Sequence, residues 1–270
     1  MQADTSTTSI APVTPDPFAL IVGRLTGDDP EACFRRMGLR PEPIDSEKEP
    51  GIAPPGFRLH FGSISARVGR ADVDALALAD PKDPATSLLA ARLPADWRAK
   101  DHVWTLVPEE GDGSDTSDTR ATRLREFFKM AVLLIDLFDA SHIFWSPARL
   151  WSDAPQFRSA VVEMLASGMP PVLHLVAFRR GEGPDGAIVR TRGLGLFGGQ
   201  EIESRMPPGW TVAEMIRRLA RLALDIILHG PVTEARGVRG LGPGEWVSLV
   251  PIADGSGEWA VVRVGFGSDR

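Results

Sequence analysis

The stretch Thr191-Arg-Gly-Leu-Gly-Leu-Phe-Gly-Gly-Gln-Glu-Ile-Glu203 decides how this chain is read. Four glycines, Gly193, Gly195, Gly198 and Gly199, interrupt an apolar run. They allow a sharp turn or a close approach of the backbone. On either side lie segments of strand length and alternation, Ala187–Arg192 and Gln200–Arg205. The stretch reads as a structural bend between two antiparallel strands, carried by Thr191, Gly193 and Gly198. Gly193 or Gly198 is expected to have a positive φ, or to leave no room for a Cβ. A phosphate cradle is the rival reading. It is disfavoured because the spacing is neither G-x-G-x-x-G nor G-x-x-x-x-G-K-S/T, and a strand follows instead of a helix.

Working outward, the carboxyl-terminal third continues with a turn at Pro207, Pro208 and Gly209. An amphipathic helix over Thr211–Leu228 follows, with Thr211 and Glu214 at capping-box spacing and Gly230 closing it. Trp246–Pro251 and Trp259–Val264 read as a hairpin across Asp254–Gly257. Towards the amino terminus, Pro171–Phe178, Ser141–Trp145 and His102–Val107 read as strands. A long helix is expected over Thr119–Phe138, with apolar residues at helical spacing, and a shorter one from Asp153 and Pro155 to about Ala166, ended by Gly168. Glu109–Asp118 reads as a loop. Asp72–Leu78 and Pro84–Leu93 read as helices, and Phe57–Phe61 with Ile64–Val68 as a hairpin. Arg40–Pro55, with five prolines, reads as a loop. Phe18–Leu25 is strand-like, and a helix capped by Asp28 or Asp29 runs from Pro30 to about Met37. Strands and helices mix without a steady β-α-β alternation. The expected class is therefore α+β, mainly antiparallel sheet covered by helices. Residues 1–17 read as a disordered tail and 18–270 as one domain, with 18–60 as a possible amino-terminal extension.

Composition narrows the function classes. The chain has 270 residues and a formal net charge of −6, which argues against nucleic acid or an anionic membrane as partner. The single cysteine, Cys33, cannot form an internal disulfide and fits a reducing compartment, so a cytoplasmic protein is expected. No apolar run is long enough to cross a membrane as a helix. Tyrosine is absent against seven tryptophans, which disfavours a broad aromatic recognition face.

Several segments together resemble the bacterial DUF-4261 family. They are Asp101-His-Val-Trp104 before a long helix, a strand ending Trp145-Ser146-Pro147, the Thr191–Glu203 motif, and a helix ending Gly230-Pro231. The likeness runs over about 64–264, with Thr191–Glu203 its most specific part. It implies a fold boundary and no assigned chemistry. A second likeness is local. Glu201–Trp210 is similar to a turn of bacterial suppressor-of-fused-like domains, which implies protein–protein binding, including proposed toxin-neutralising immunity proteins.

The residues that carry chemistry are few. Glu201 and Glu203 lie two apart and so share one face of a strand. They have the residue types for acid–base work or for a divalent metal. The alternative is a solvent face, or pairing with Arg190, Arg192 or Arg205, and this is favoured because no other carboxylate cluster accompanies them. His102, His142 and His174 fall in apolar runs, and convergence at a metal would require their strands to be neighbours. No spacing motif links them, so no metal and no cofactor are expected. No G-x-S-x-G elbow occurs. Cys33 has no histidine nearby in sequence. The expectation is a non-catalytic protein-binding or regulatory module, toxin-neutralising or secretion-associated, that meets another protein through Glu201, Glu203 and Trp210 with Trp145 beside them. The rival expectation is a small hydrolase using Glu201, Glu203 and a histidine.

Overall fold

The computed structural model describes residues 17–25, 29–45, 52–90, 92–99, 102–109, 117–252 and 259–268. All but the last residue of the expected 1–17 tail, most of the Glu109–Asp118 loop and the tip of the terminal hairpin lie outside them.

The chain opens with β1 (Ala19–Val22), all four residues of which are buried. Asp29 then accepts backbone hydrogen bonds from Glu31 and Ala32, and Pro30 occupies the first turn of α1 (Pro30–Arg36). Next come β2 (Arg40–Ile44), β3 (Ala53–Phe61) and β4 (Ile64–Arg70). Asp72 caps α2 (Val73–Leu78), and the two-residue β5 (Ser87–Leu88) and β6 (Val103–Pro108) follow. The long α3 (Ser117–Leu137) leads into β7 (His142–Trp145) and β8 (Leu150–Asp153). Asp153 caps α4 (Ala154–Ser167), which Gly168 ends with a left-handed φ of 78°.

The second half holds α5 (Val172–Leu175), β9 (Ala177–Gly183), β10 (Gly186–Arg192), α6 (Gly195–Gly198) and β11 (Gln200–Arg205). It closes with α7 (Val212–His229), β12 (Arg236–Arg239), β13 (Glu245–Ile252) and β14 (Ala260–Ser268). The Thr211–Glu214 capping box is formed in both directions.

These elements make the α+β class expected, with two sheets. The first has order β2-β3-β4-β6-β1-β7-β8-β5 and the second β12-β13-β14-β11-β10-β9. Pairing is antiparallel except at β5–β8 and β11–β14. One apolar core joins the two, running from Phe34, Trp104, Phe138 and Trp145 to Ile202, Leu219, Leu249 and Val262. α7 turns Met215, Leu219, Leu222, Ala223 and Ile226 into it, the spacing of one helical face. A smaller core of Leu20, Trp97, Phe144 and Trp151 covers the other face of the first sheet. No helix among the described residues is long and apolar enough to cross a membrane.

Three segments differ from their expectations. Arg40–Pro55 is not a loop throughout: β2 pairs with β3 from Arg40↔His60 to Ile44↔Gly56. It is an edge strand, and Pro41 and Pro43, two apart, leave their missing donors on one side, while Arg40, Glu42 and Ile44 keep theirs. Pro84–Leu93 is not a helix. Asp83 accepts a hydrogen bond from Ala85 N and pairs with Arg149, holding a turn that delivers Ser87 and Leu88 alongside β8. Pro171–Phe178 begins with one helical turn, because Val172 and Leu175, three apart, are the residues buried there.

Candidate interaction surface

The bend expected at Thr191–Glu203 is present, and its anchor is Glu201. The carboxylate Oε1 accepts hydrogen bonds from the backbone N–H of Gly193 (2.8 Å) and Gly195 (3.0 Å). Oε2 accepts from the Thr191 hydroxyl (2.6 Å), whose oxygen in turn accepts from Ile202 N–H (2.7 Å). Gly193 has a φ of 93°, which favours glycine strongly. Gly198 is required for a different reason: a Cβ there would collide with Ile226 of α7. Burial pushes the Glu201 carboxyl above its ordinary value of 4.5, and the hydrogen bonds from Thr191, Gly195 and Gly193 oppose that rise. The acid is enclosed and committed to the loop beside it. Gly198→Val is expected to lower stability by about 1–3 kcal/mol by overpacking against Ile226. Chemical denaturation checks this, and an unchanged midpoint contradicts it.

Glu203 shares the face of Glu201 and pairs with Arg190 across β10–β11. Trp210 lies on the other side of that sheet. It packs against Phe266 (ring centroids 5.0 Å apart), which alternates in β14 with the outward Arg263 and Gly265. Arg218 covers the Trp210 ring at 4.1 Å and forks onto Glu245 at 2.8–3.0 Å. That fork holds the Glu245 carboxyl below its usual range. Trp145 is 2% exposed and sits in the core between Phe127 and Phe128. It does not reach the surface, so Glu201, Glu203, Trp210 and Trp145 do not form the single contact surface expected of them. β7 alternates its side chains between two cores, and Trp145 faces the larger one.

The histidines are separately engaged. His142 is buried and meets the Ser141 hydroxyl at 2.9 Å, while His102 lies against Arg24 and Asp96. His174 is on α5 instead of a strand and meets the Ser152 hydroxyl at 3.1 Å; burial lowers its pKa, and Asp153 partly offsets the change. Among the described residues, none of these three bonds Glu201 or Glu203, and no group of three or more His, Cys, Asp or Glu side chains gathers as a metal site.

A surface that the sequence reading missed is the outer face of the second sheet. Its inner face meets α7 through Val247, Leu249, Val262 and Val264. The alternate residues point outward, and Trp246 (42% exposed), Ser248 and Val250 of β13 are all exposed. Directly paired residues share a face. In register with them are Arg239↔Trp246↔Gly267, Gly237↔Ser248↔Gly265 and Val250↔Arg263. A Cβ on Gly237 would lie 2.5 Å from the Trp246 indole, so glycine lets the ring lie against the sheet. Arg263 continues the row to Glu203, Arg190 and Arg179. Arg205, Arg239 and Arg263 are exposed, and none of their guanidinium groups has a hydrogen-bond or ion-pair partner among the described residues. The alternation in Glu245-Trp-Val-Ser-Leu-Val250 signals an outward tryptophan. The arginine row depends on register across four strands, which no local pattern encodes.

Comparison with known proteins returned no match to a family model, to a curated protein or to a solved structure.

Proposed function

We propose that the chain is a non-catalytic protein-binding module and that its contact surface is the open face of the six-stranded sheet. The observation that carries this is Trp246: a large ring left exposed over Gly237, beside Arg239, with no element of the described chain covering it. Tryptophan and arginine supply much of the energy at protein interfaces, the ring through buried area and the guanidinium through directed hydrogen bonds. The two conspicuous acids support the same reading, since Glu201 is spent on the bend and Glu203 on Arg190. The reading agrees with what the local likeness to suppressor-of-fused-like domains implies, and neutralising a toxin-like partner is one form of it. Membership of the DUF-4261 family and a cytoplasmic setting belong to the same proposal.

A photo-crosslinking amino acid placed at Ser248 tests it in the native host. Discrete protein adducts are expected from that position and not from Val162, an exposed residue on α4. Equal adducts from both positions, or none from Ser248, contradict the assignment.

A further inference from the structure

We propose that the partner offers this face an acidic, extended segment, its carboxylates seated on the arginine row and its apolar side chains on Trp246 and Val250. The inference rests on the reading of the sheet as a binding face and adds the chemistry of what binds.

Charge comes first. Paired positions carry Arg179, Arg190, Glu203 and Arg263 straight across four strands, about 4.8 Å apart from strand to strand. With Arg192, Arg205 and Arg239, the face holds six arginines against two carboxylates, Glu201 and Glu203, a formal local +4 on a chain of net charge −6. Glu203 is held by Arg190, and the Arg179 guanidinium donates to the Pro84 carbonyl. The guanidinium groups of Arg205, Arg239 and Arg263 have no partner among the described residues and can meet an incoming group. A guanidinium forks onto a carboxylate with two parallel hydrogen bonds and is weakly hydrated, so it suits a contact that excludes water.

Shape comes next. Ser248, Gly265 and Gly267 leave a floor with little side chain between Trp246, whose ring covers Gly237, and Arg263. Another backbone can approach closely there.

Both features favour a protein over single-stranded nucleic acid. A nucleic-acid track uses successive stacking rings, and this face exposes one. The net negative charge of the whole chain also repels a long polyanion, whereas a local acidic segment meets only the basic face.

The test is fluorescence anisotropy with three labelled probes: a short peptide whose every second residue is in turn glutamate and valine, with serine between them so that both types fall on one face, its lysine–valine counterpart, and oligothymidylate. The acidic peptide is expected to bind, to weaken as salt rises, and to lose about tenfold in affinity in the triple variant Arg205→Gln/Arg239→Gln/Arg263→Gln. These side chains are exposed and have no partner among the described residues, so the variant is expected to melt as the parent does, and circular dichroism verifies it. Acidic-peptide binding that is absent, or unchanged in the triple variant, overturns the proposal. Oligothymidylate bound more tightly than the peptide, and lost in the same variant, overturns it in favour of a nucleic-acid surface. If Ser248 crosslinks persist while the peptide fails, the binding face stands and the acidic partner falls. If both fail, the face itself is wrongly assigned.

Discussion

Glu201→Leu is expected to destabilise the protein by roughly 3–5 kcal/mol, while Glu201→Gln costs about 1 kcal/mol or less. Leucine has the bulk to fill the space, but it leaves the N–H groups of Gly193 and Gly195 and the Thr191 hydroxyl without their acceptor. Each buried unsatisfied donor costs about 1–3 kcal/mol. Glutamine keeps a carbonyl for the two glycine N–H groups and turns an amide donor to the Thr191 oxygen. Chemical denaturation at neutral pH separates the two variants. The pH dependence has a defined sign. Because burial raises the folded-state pKa of Glu201, its favourable contribution is full below the unfolded value near 4.5 and is lost as pH rises through the higher folded value. The wild type therefore gains stability relative to Glu201→Gln on acidification towards 4.5. A gap that narrows in the other direction contradicts the enclosed carboxyl. A catalytic or surface role for Glu201 predicts the reverse pattern, with glutamine costly to function and leucine harmless to the fold.

Trp145→Ala is expected to cost about 3–5 kcal/mol of stability, the usual range for emptying a large aromatic site in a core. The indole is 2% exposed and has ring neighbours at 5.8 Å (Phe127) and 5.6 Å (Phe128). If Trp145 were the exposed anchor that its place beside Ser146-Pro147 suggests, the same change would spare the melting temperature and weaken binding. Thermal melting decides between the two, and a shift of under a degree or so contradicts the packing described here.

The helices with side-chain caps were legible because their signals are local. Asp29 with Pro30, Asp153 with Pro155, and Thr211 with Glu214 each place an acceptor where orphan N–H groups need one. The bend was legible for the same reason, although Gly198 serves packing against Ile226 and not a special φ. What stayed hidden depends on neighbours distant in sequence. β2 is a strand because β3 lies alongside it, against the local signal of its prolines. Glu201 and Glu203 stood out by spacing, but only three-dimensional contacts show that one closes a loop and the other joins an arginine row. The two tryptophans chosen as anchors sit beside turns, a pattern that does not separate a half-covered ring such as Trp210 from a core ring such as Trp145. Trp246 was assigned to its hairpin correctly. Its exposure follows from α7 covering only one side of the sheet.

The central claim is that recognition belongs to the open sheet face and not to the conspicuous acids. Partner capture from the native host, comparing Trp246→Ser with Glu201→Gln, tests it most directly. Both proteins are expected to stay folded by circular dichroism. Glu201→Gln is expected to retain every captured partner and Trp246→Ser to lose them. Partners retained by Trp246→Ser and lost by Glu201→Gln would place recognition at the bend and contradict the account.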